Sequence, residues 1–135
     1  SRFCVYKQGV AEEGLQGEGI ALLKHTGGDA DAKGFASSAH LMLARLTGKS
    51  RAFRDELIER LGDAGVATNV HYKPLPMLSA YRALGFDIAR FPNALRQFEN
   101  EVTLPLHTLL SDDDVDYVID QLLRCKRDLE QEGLS

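Results

Sequence analysis

The sequence predicts an α+β fold: a two-layer sandwich in which a small, mostly antiparallel sheet of three to four strands is covered by helices. Three observations point there. The periodicities run helix, strand, strand, helix, strand, short helices, strand, helix along one chain of 135 residues, a length suited to a single domain. The last segment has the caps and charge polarity of an amphipathic helix. Two internal segments, 39–46 and 66–72, have the composition or alternation of strands.

Each element has a local reason. Residues 1–16 place Phe3, Tyr6 and Val10 at helical spacing, and Gly14, Gly17 and Gly19 close the helix. Residues 20–25 are a short apolar run suited to a strand, and 26–38 are polar and glycine-rich, the pattern of a loop. Residues 39–46, AHLMLARL, are apolar on both faces apart from His40 and Arg45, which suits a buried strand. Ser50 caps a helix to Ala64 with a stripe of Phe53, Leu57, Ile58, Leu61 and Ala64, and Gly65 stands where a left-handed residue ends it. In residues 66–72, Val66, Thr68, Val70 and Tyr72 share one strand face, and Ala67, Asn69 and His71 share the other. Pro74 and Pro76 stop that strand. Short helices are expected over 77–84, closed by Gly85, and over 91–100, entered through Pro92. A strand over 102–106 ends near Pro105. Ser111 and Asp114 form a capping box for the last helix, whose buried stripe is Val115, Val118, Ile119, Leu122 and Leu123.

Composition excludes several function classes. Sixteen Lys and Arg against 20 Asp and Glu give a net charge of −4, without the basic footprint of a nucleic-acid binder. No apolar run approaches a membrane span, and no cationic stretch leads into an apolar one, so neither a membrane nor a secretory signal is expected. Cys4 and Cys125 make no metal or disulfide pattern, and a reduced, cytoplasmic chain with buried thiols is the expectation. The chain starts at Ser1 without an initiating Met, which suggests a longer natural polypeptide.

Of the four histidines, His25, His40, His71 and His107, none sits in a metal-binding spacing, so no metal is expected. Asp112, Asp113 and Asp114 lack the spacing of a calcium loop and suit a helix N-terminus. Gly27–Gly28 has no helix directly after it, so it makes a poor case for phosphate binding. His40, in an apolar strand, reads as a core histidine, and His107, at a strand end, as one satisfied by backbone. The segment NVHYKPLP (69–76) concentrates the interest: Asn69 and His71 share a face just before a proline-rigidified turn. Such groups either point together into a cleft or bond within the fold.

The motifs SSAHLMLARL, RDELIERLGDAGVATNVHYKPLPMLSAYRALGF, FPNA and ENEVTLPLHTLLSDDDVDYVIDQL, in this order over about residues 37–124, resemble the C-terminal domain of the DegT/StrS family. These are pyridoxal-phosphate-dependent aminotransferases acting on nucleotide-linked keto-sugars. The resemblance implies the small domain of the aspartate aminotransferase fold (fold type I), with residues 1–16 as the tail of the inter-domain helix and 17–135 as the small domain. It implies that the large cofactor-binding domain lies outside this chain. None of Lys7, Lys24, Lys33, Lys49, Lys73 or Lys126 matches the family's Schiff-base lysine segment, so no catalytic residue, no cofactor in this fragment and no activity alone are expected. The implied substrate-binding residues are His71, Tyr72 and Lys73, with Asn69, His107 and His40 as weaker candidates. His71 would hydrogen-bond the sugar, not transfer protons at the reacting carbon. Where many members have a histidine in a PLH run, this chain has Pro76, which alters any contact made there. The whole enzyme would be a homodimer using glutamate as amino donor. The alternative is a stand-alone module that binds small molecules or nucleotide sugars without catalysis.

Overall fold

The computed structural model describes residues 14–23, 26–27, 35–36 and 40–135 of the chain. Its centre is a three-stranded antiparallel sheet of β1 (Ile20–Leu22), β4 (Met42–Leu46) and β5 (Glu101–Leu104), in the order β1-β4-β5. The register pairs Ile20 with Leu46, Leu22 with Ala44, Ala44 with Val102 and Met42 with Leu104. Because side chains alternate along a strand, these residues share one face. That face meets α1 (Arg51–Asp63) and α4 (Asp112–Gln131). Phe53, Leu57 and Leu61 of α1 and Val115, Val118, Leu122 and Leu129 of α4 close the core against it. The expected two-layer α+β arrangement is therefore the observed one.

The helix ends follow local chemistry. The Ser50 side chain accepts from the Phe53 N–H, and Gly65 leaves α1 at φ +76°. Ser111 and Asp114 form the reciprocal capping box of α4. Ion pairs lock the helical layer. Glu130 meets Lys126 at 2.8 Å and Lys49 at 2.7 Å, Arg60 meets Glu132 at 2.6 Å, and Arg127 meets Glu18 at 2.6 Å. Two short α-helices, α2 (Ser79–Ala83) and α3 (Pro92–Asn100), and the 3-10 turns Leu75–Met77 and Ile88–Arg90 carry the chain from residue 75 back to the sheet.

Four expectations change. Within the glycine-rich stretch 26–38, whose composition reads as a loop, β2 (Thr26–Gly27) pairs antiparallel with β3 (Phe35–Ala36). Residues 66–72 are not a strand: a single antiparallel bridge joins Asn69 to Thr103. Side chains take the next two N–H groups, since Val70 donates to Asn69 Oδ1 at 2.8 Å and His71 to Glu101 Oε2 at 3.0 Å. Extending the ladder would need the His71 donor on the Glu101 main-chain carbonyl. The strand over 39–46 starts only at Met42, and the last strand stops at Leu104, before Pro105. The helix over 1–16 is described only at its end, where 14–17 are helical; residues 1–13 and Cys4 lie outside the described residues.

Candidate functional site

The second face of the sheet has a different chemistry. Strand β5 turns Val102 and Leu104 into the core and Glu101 and Thr103 away from the helices. Segment 66–72 runs alongside, fixed by the Asn69 N–H to the Thr103 carbonyl at 3.2 Å and the Thr103 N–H to the Asn69 carbonyl at 2.7 Å. That register sets His71 against Glu101 and Thr103. The His71 Nδ1 lies 2.9 Å from Thr103 Oγ1, and the Thr103 hydroxyl donates to Glu101 Oε1 at 2.6 Å. The other carboxylate oxygen takes the His71 main-chain N–H. The three residues thus form a closed cycle of hydrogen bonds.

Glu101 is 1% exposed, and this burial pushes its carboxyl above the usual carboxylate range. The Thr103 hydroxyl, the His71 N–H and the charges of His71 and Arg54 oppose that shift. Arg54, also buried, donates from one guanidinium nitrogen to the carbonyls of Phe98 at 2.6 Å and Glu101 at 3.3 Å. It ties the end of α3 and the start of β5 to α1.

Above the cycle opens a cleft of about 300 Å³ lined by His40, Thr68, Asn69, His71 and Thr103 over an apolar wall that includes Leu41, Ala67, Leu104 and Leu106. Thr68 Oγ1 is buried and lacks a hydrogen-bond partner among the described residues. A concave site with a few convergent polar groups on an apolar floor is the usual form of a small-molecule site.

The structure divides the sequence candidates. Asn69 and His71 reach the cleft together. His40 joins them: it is exposed at the cleft's edge instead of buried in a strand, because β4 begins two residues later. Tyr72 is 67% exposed, and its ring stands edge-on to that of His71 at 4.6 Å. Lys73 lines a separate hollow of about 430 Å³ with Pro76, Arg82, Phe86 and Asp87. His107 is exposed in the turn after β5, where its Nδ1 accepts from the Leu109 N–H at 3.3 Å, away from the cleft. His25 and Gly28 lie outside the described residues.

Sequence reasoning missed Glu101, Thr103 and Thr68. The signal was available for the first two: polar residues two apart in the strand EVTL, the same spacing as Asn69 and His71.

Among the described residues, no three His, Cys, Asp or Glu side chains gather as a metal site. Cys125 is buried and its thiol is pushed up by that burial, the reverse of an activated nucleophile. Pyridoxal phosphate needs a free lysine beside a phosphate cradle. Lys49 and Lys126 are both held by Glu130, and Lys73 is an exposed residue of the other hollow. The described residues do not fit that cofactor. What they can do is hydrogen-bond a polar ligand.

The model of the DegT/DnrJ/EryC1/StrS aminotransferase family matches residues 11–123. Spr1654 of Streptococcus pneumoniae, assigned as a sugar aminotransferase, superposes in its apo-form with a TM-score of 0.85 at 40% identity, over 98% of this chain and 31% of that one. Its PLP-form superposes at a TM-score of 0.78 and 44% identity, over 87% of this chain and 29% of that one. The spore coat polysaccharide biosynthesis protein SpsC of Bacillus subtilis is 38% identical over 74 residues, 53% of this chain and 19% of SpsC. The UDP-4-amino-4,6-dideoxy-N-acetyl-beta-L-altrosamine transaminase of Campylobacter jejuni is 35% identical over 86 residues, 64% of this chain and 23% of the transaminase. The chain spans about a fifth of the length of these curated relatives.

Proposed function

The chain belongs to the DegT/DnrJ/EryC1/StrS aminotransferase family, and on that premise we propose that it is the small C-terminal domain of a pyridoxal-phosphate-dependent enzyme that aminates a nucleotide-linked keto-sugar. Residues 17–135 belong to this domain, and residues 1–16 connect it to a large domain outside the chain. The cofactor and its lysine belong to that large domain, and the fragment is inactive by itself. Bound there, pyridoxal phosphate supplies the electron sink for moving an amino group. Glutamate is the amino donor, the full-length enzyme is a homodimer, and it works in the cytoplasm.

The observation that supports this reading is the His71 cleft. An imidazole held from behind by Thr103 and Glu101 stands beside Asn69 and Thr68 over an apolar floor. Such a wall recognises the hydroxyl and amide groups of a sugar without taking part in bond making. His71 binds and orients the sugar; Asn69 and Thr68 line its flank. Tyr72 and Lys73, turned to the neighbouring surface and hollow, serve the more distant parts of the substrate. The solved relative in PLP-form and the polysaccharide and sugar-transaminase relatives favour this class of substrate.

The experiment is His71→Ala in the full-length enzyme. The expected result is a raised KM or lowered kcat for the keto-sugar, with the cofactor's absorbance spectrum unchanged. Unaltered kinetics would remove His71 from the site.

A further inference from the structure

We propose that Thr103 and Glu101 are positioning residues that hold His71 as its Nδ1–H tautomer, so that a bare Nε2 lone pair faces the cleft and accepts from a hydroxyl of the bound sugar. The acceptor role rests on the functional reading above; the tautomer does not.

The inference comes from counting protons around the closed cycle. A threonine hydroxyl has one proton and two lone pairs, and a carboxylate only accepts. Glu101 Oε2 already accepts the His71 main-chain N–H at 3.0 Å, and Oε1 lies 2.6 Å from Thr103 Oγ1. Both carboxylate oxygens therefore face donors, and the hydroxyl proton belongs to Glu101. Only a lone pair of Thr103 Oγ1 then remains to meet His71 Nδ1 at 2.9 Å. Nδ1 must supply the proton. In a neutral imidazole the other nitrogen is then an acceptor. Nε2 has no hydrogen bond to any described residue, and His71 lines the cleft.

This arrangement is selective. A buried-edge acceptor rewards a ligand that presents O–H or N–H there, and it repels a carbonyl or ether oxygen set in the same place. A sugar with a free hydroxyl facing His71 is therefore preferred over its deoxy or O-alkylated analogue.

The test uses long-range ¹H–¹⁵N spectra of the ¹⁵N-histidine-labelled chain at about pH 8, above the ordinary imidazole range. His71→Gln identifies the His71 signals. The wild type and Thr103→Ser are expected to show a protonated Nδ1 and an unprotonated Nε2. Thr103→Val removes the acceptor and should return His71 toward the Nε2–H form that an unconstrained imidazole prefers in water. Glu101→Gln is the sharper variant. Its amide oxygen is needed by the His71 main-chain N–H, so its NH₂ must face Thr103; the hydroxyl then turns to donate to Nδ1, and the tautomer inverts. A wild-type Nε2–H form, or a Glu101→Gln variant that stays Nδ1–H, overturns the assignment.

A second arm separates the two readings. In the full-length enzyme, Glu101→Gln should raise KM for the keto-sugar roughly tenfold, with the cofactor spectrum unchanged and Thr103→Ser near wild type. If His71→Ala leaves KM unaltered while the tautomer stands, the sugar-binding reading fails and the acceptor role falls with it.

Discussion

The two faces of the sheet solve opposite problems. The helix-facing side is apolar: Phe53, Leu57 and Leu122 are fully buried there, and Glu130 and Glu132 meet Lys49 and Arg60 in partly exposed pairs. The other side buries a carboxylate, a hydroxyl and part of an imidazole, and among the described residues satisfies them through one another. Burying apolar surface contributes roughly 1.5–3 kcal/mol for each large side chain. A satisfied hydrogen bond nets about 1 kcal/mol. Stability therefore belongs mainly to the first face, and the second spends burial on orienting groups.

The comparison can be broken from its strong side. Phe53→Ala should cost about 3–5 kcal/mol in urea denaturation, while the His71 ring signals of the remaining folded protein keep their wild-type positions. A cost near zero would mean that α1 does not seal the core. Arg54→Met probes the joint between the faces, because Arg54 serves the carbonyls of Phe98 and Glu101 from within α1. The expected loss is about 2–3 kcal/mol, accompanied by movement of the His71 signals, since the start of β5 loses its anchor. Ser111→Ala tests the helical layer from a distance: losing the cap should cost ~1 kcal/mol and leave His71 untouched. No effect would mean that α4 does not depend on its capping box.

The smallest effect is the most telling one, because its sign differs between faces. Hydrogen bonds from Lys126 and then Lys49 hold Glu130 below the ordinary carboxylate range, and Arg60 and Arg127 do the same for Glu132 and Glu18. For these groups the stabilisation is present above the ordinary carboxylate value and is lost as pH falls through the depressed folded values. Burial raises Glu101 instead. The folded state then binds its proton more tightly than the unfolded chain. Its contribution is most favourable in acid and declines as pH rises from the ordinary value through the raised one. Denaturation at a series of pH values should show wild-type stability relative to Glu130→Gln growing with pH. Relative to Glu101→Gln, it should shrink. Parallel curves for the two variants would erase the electrostatic contrast between the faces.

How legible all this was in the sequence depended on how local its cause was. Helices α1 and α4 announce themselves through Ser50, Gly65, Ser111 and Asp114, whose roles are settled within four residues. In residues 66–72, alternation specifies which side chains share a face, not which group accepts the main-chain N–H groups, and only an isolated bridge forms there. Glu101, thirty residues away, takes the His71 donor that a ladder would use. The same alternation still places Asn69 and His71 on a common side, and both line the cleft. His40 reads as a core residue because it borders an apolar run, but β4 begins only at Met42. Tyr72 and Lys73 adjoin His71 in sequence, yet the chain turns after the bridge and carries them to other surfaces.

The single bridge between Asn69 and Thr103 also has a consequence in time. Hydrogen-exchange protection follows the free energy of local opening. One wall of the cleft is fastened to the sheet by one pair of main-chain bonds and one side-chain cycle. The amides of Asn69, His71 and Thr103 should therefore exchange together, in one opening event well below the cost of global unfolding, while Val102 and Leu122 exchange only when the core does. A ligand gripping His71 would slow that shared opening and leave the core's clock unchanged, so the wall would register its occupant as a change in exchange rate.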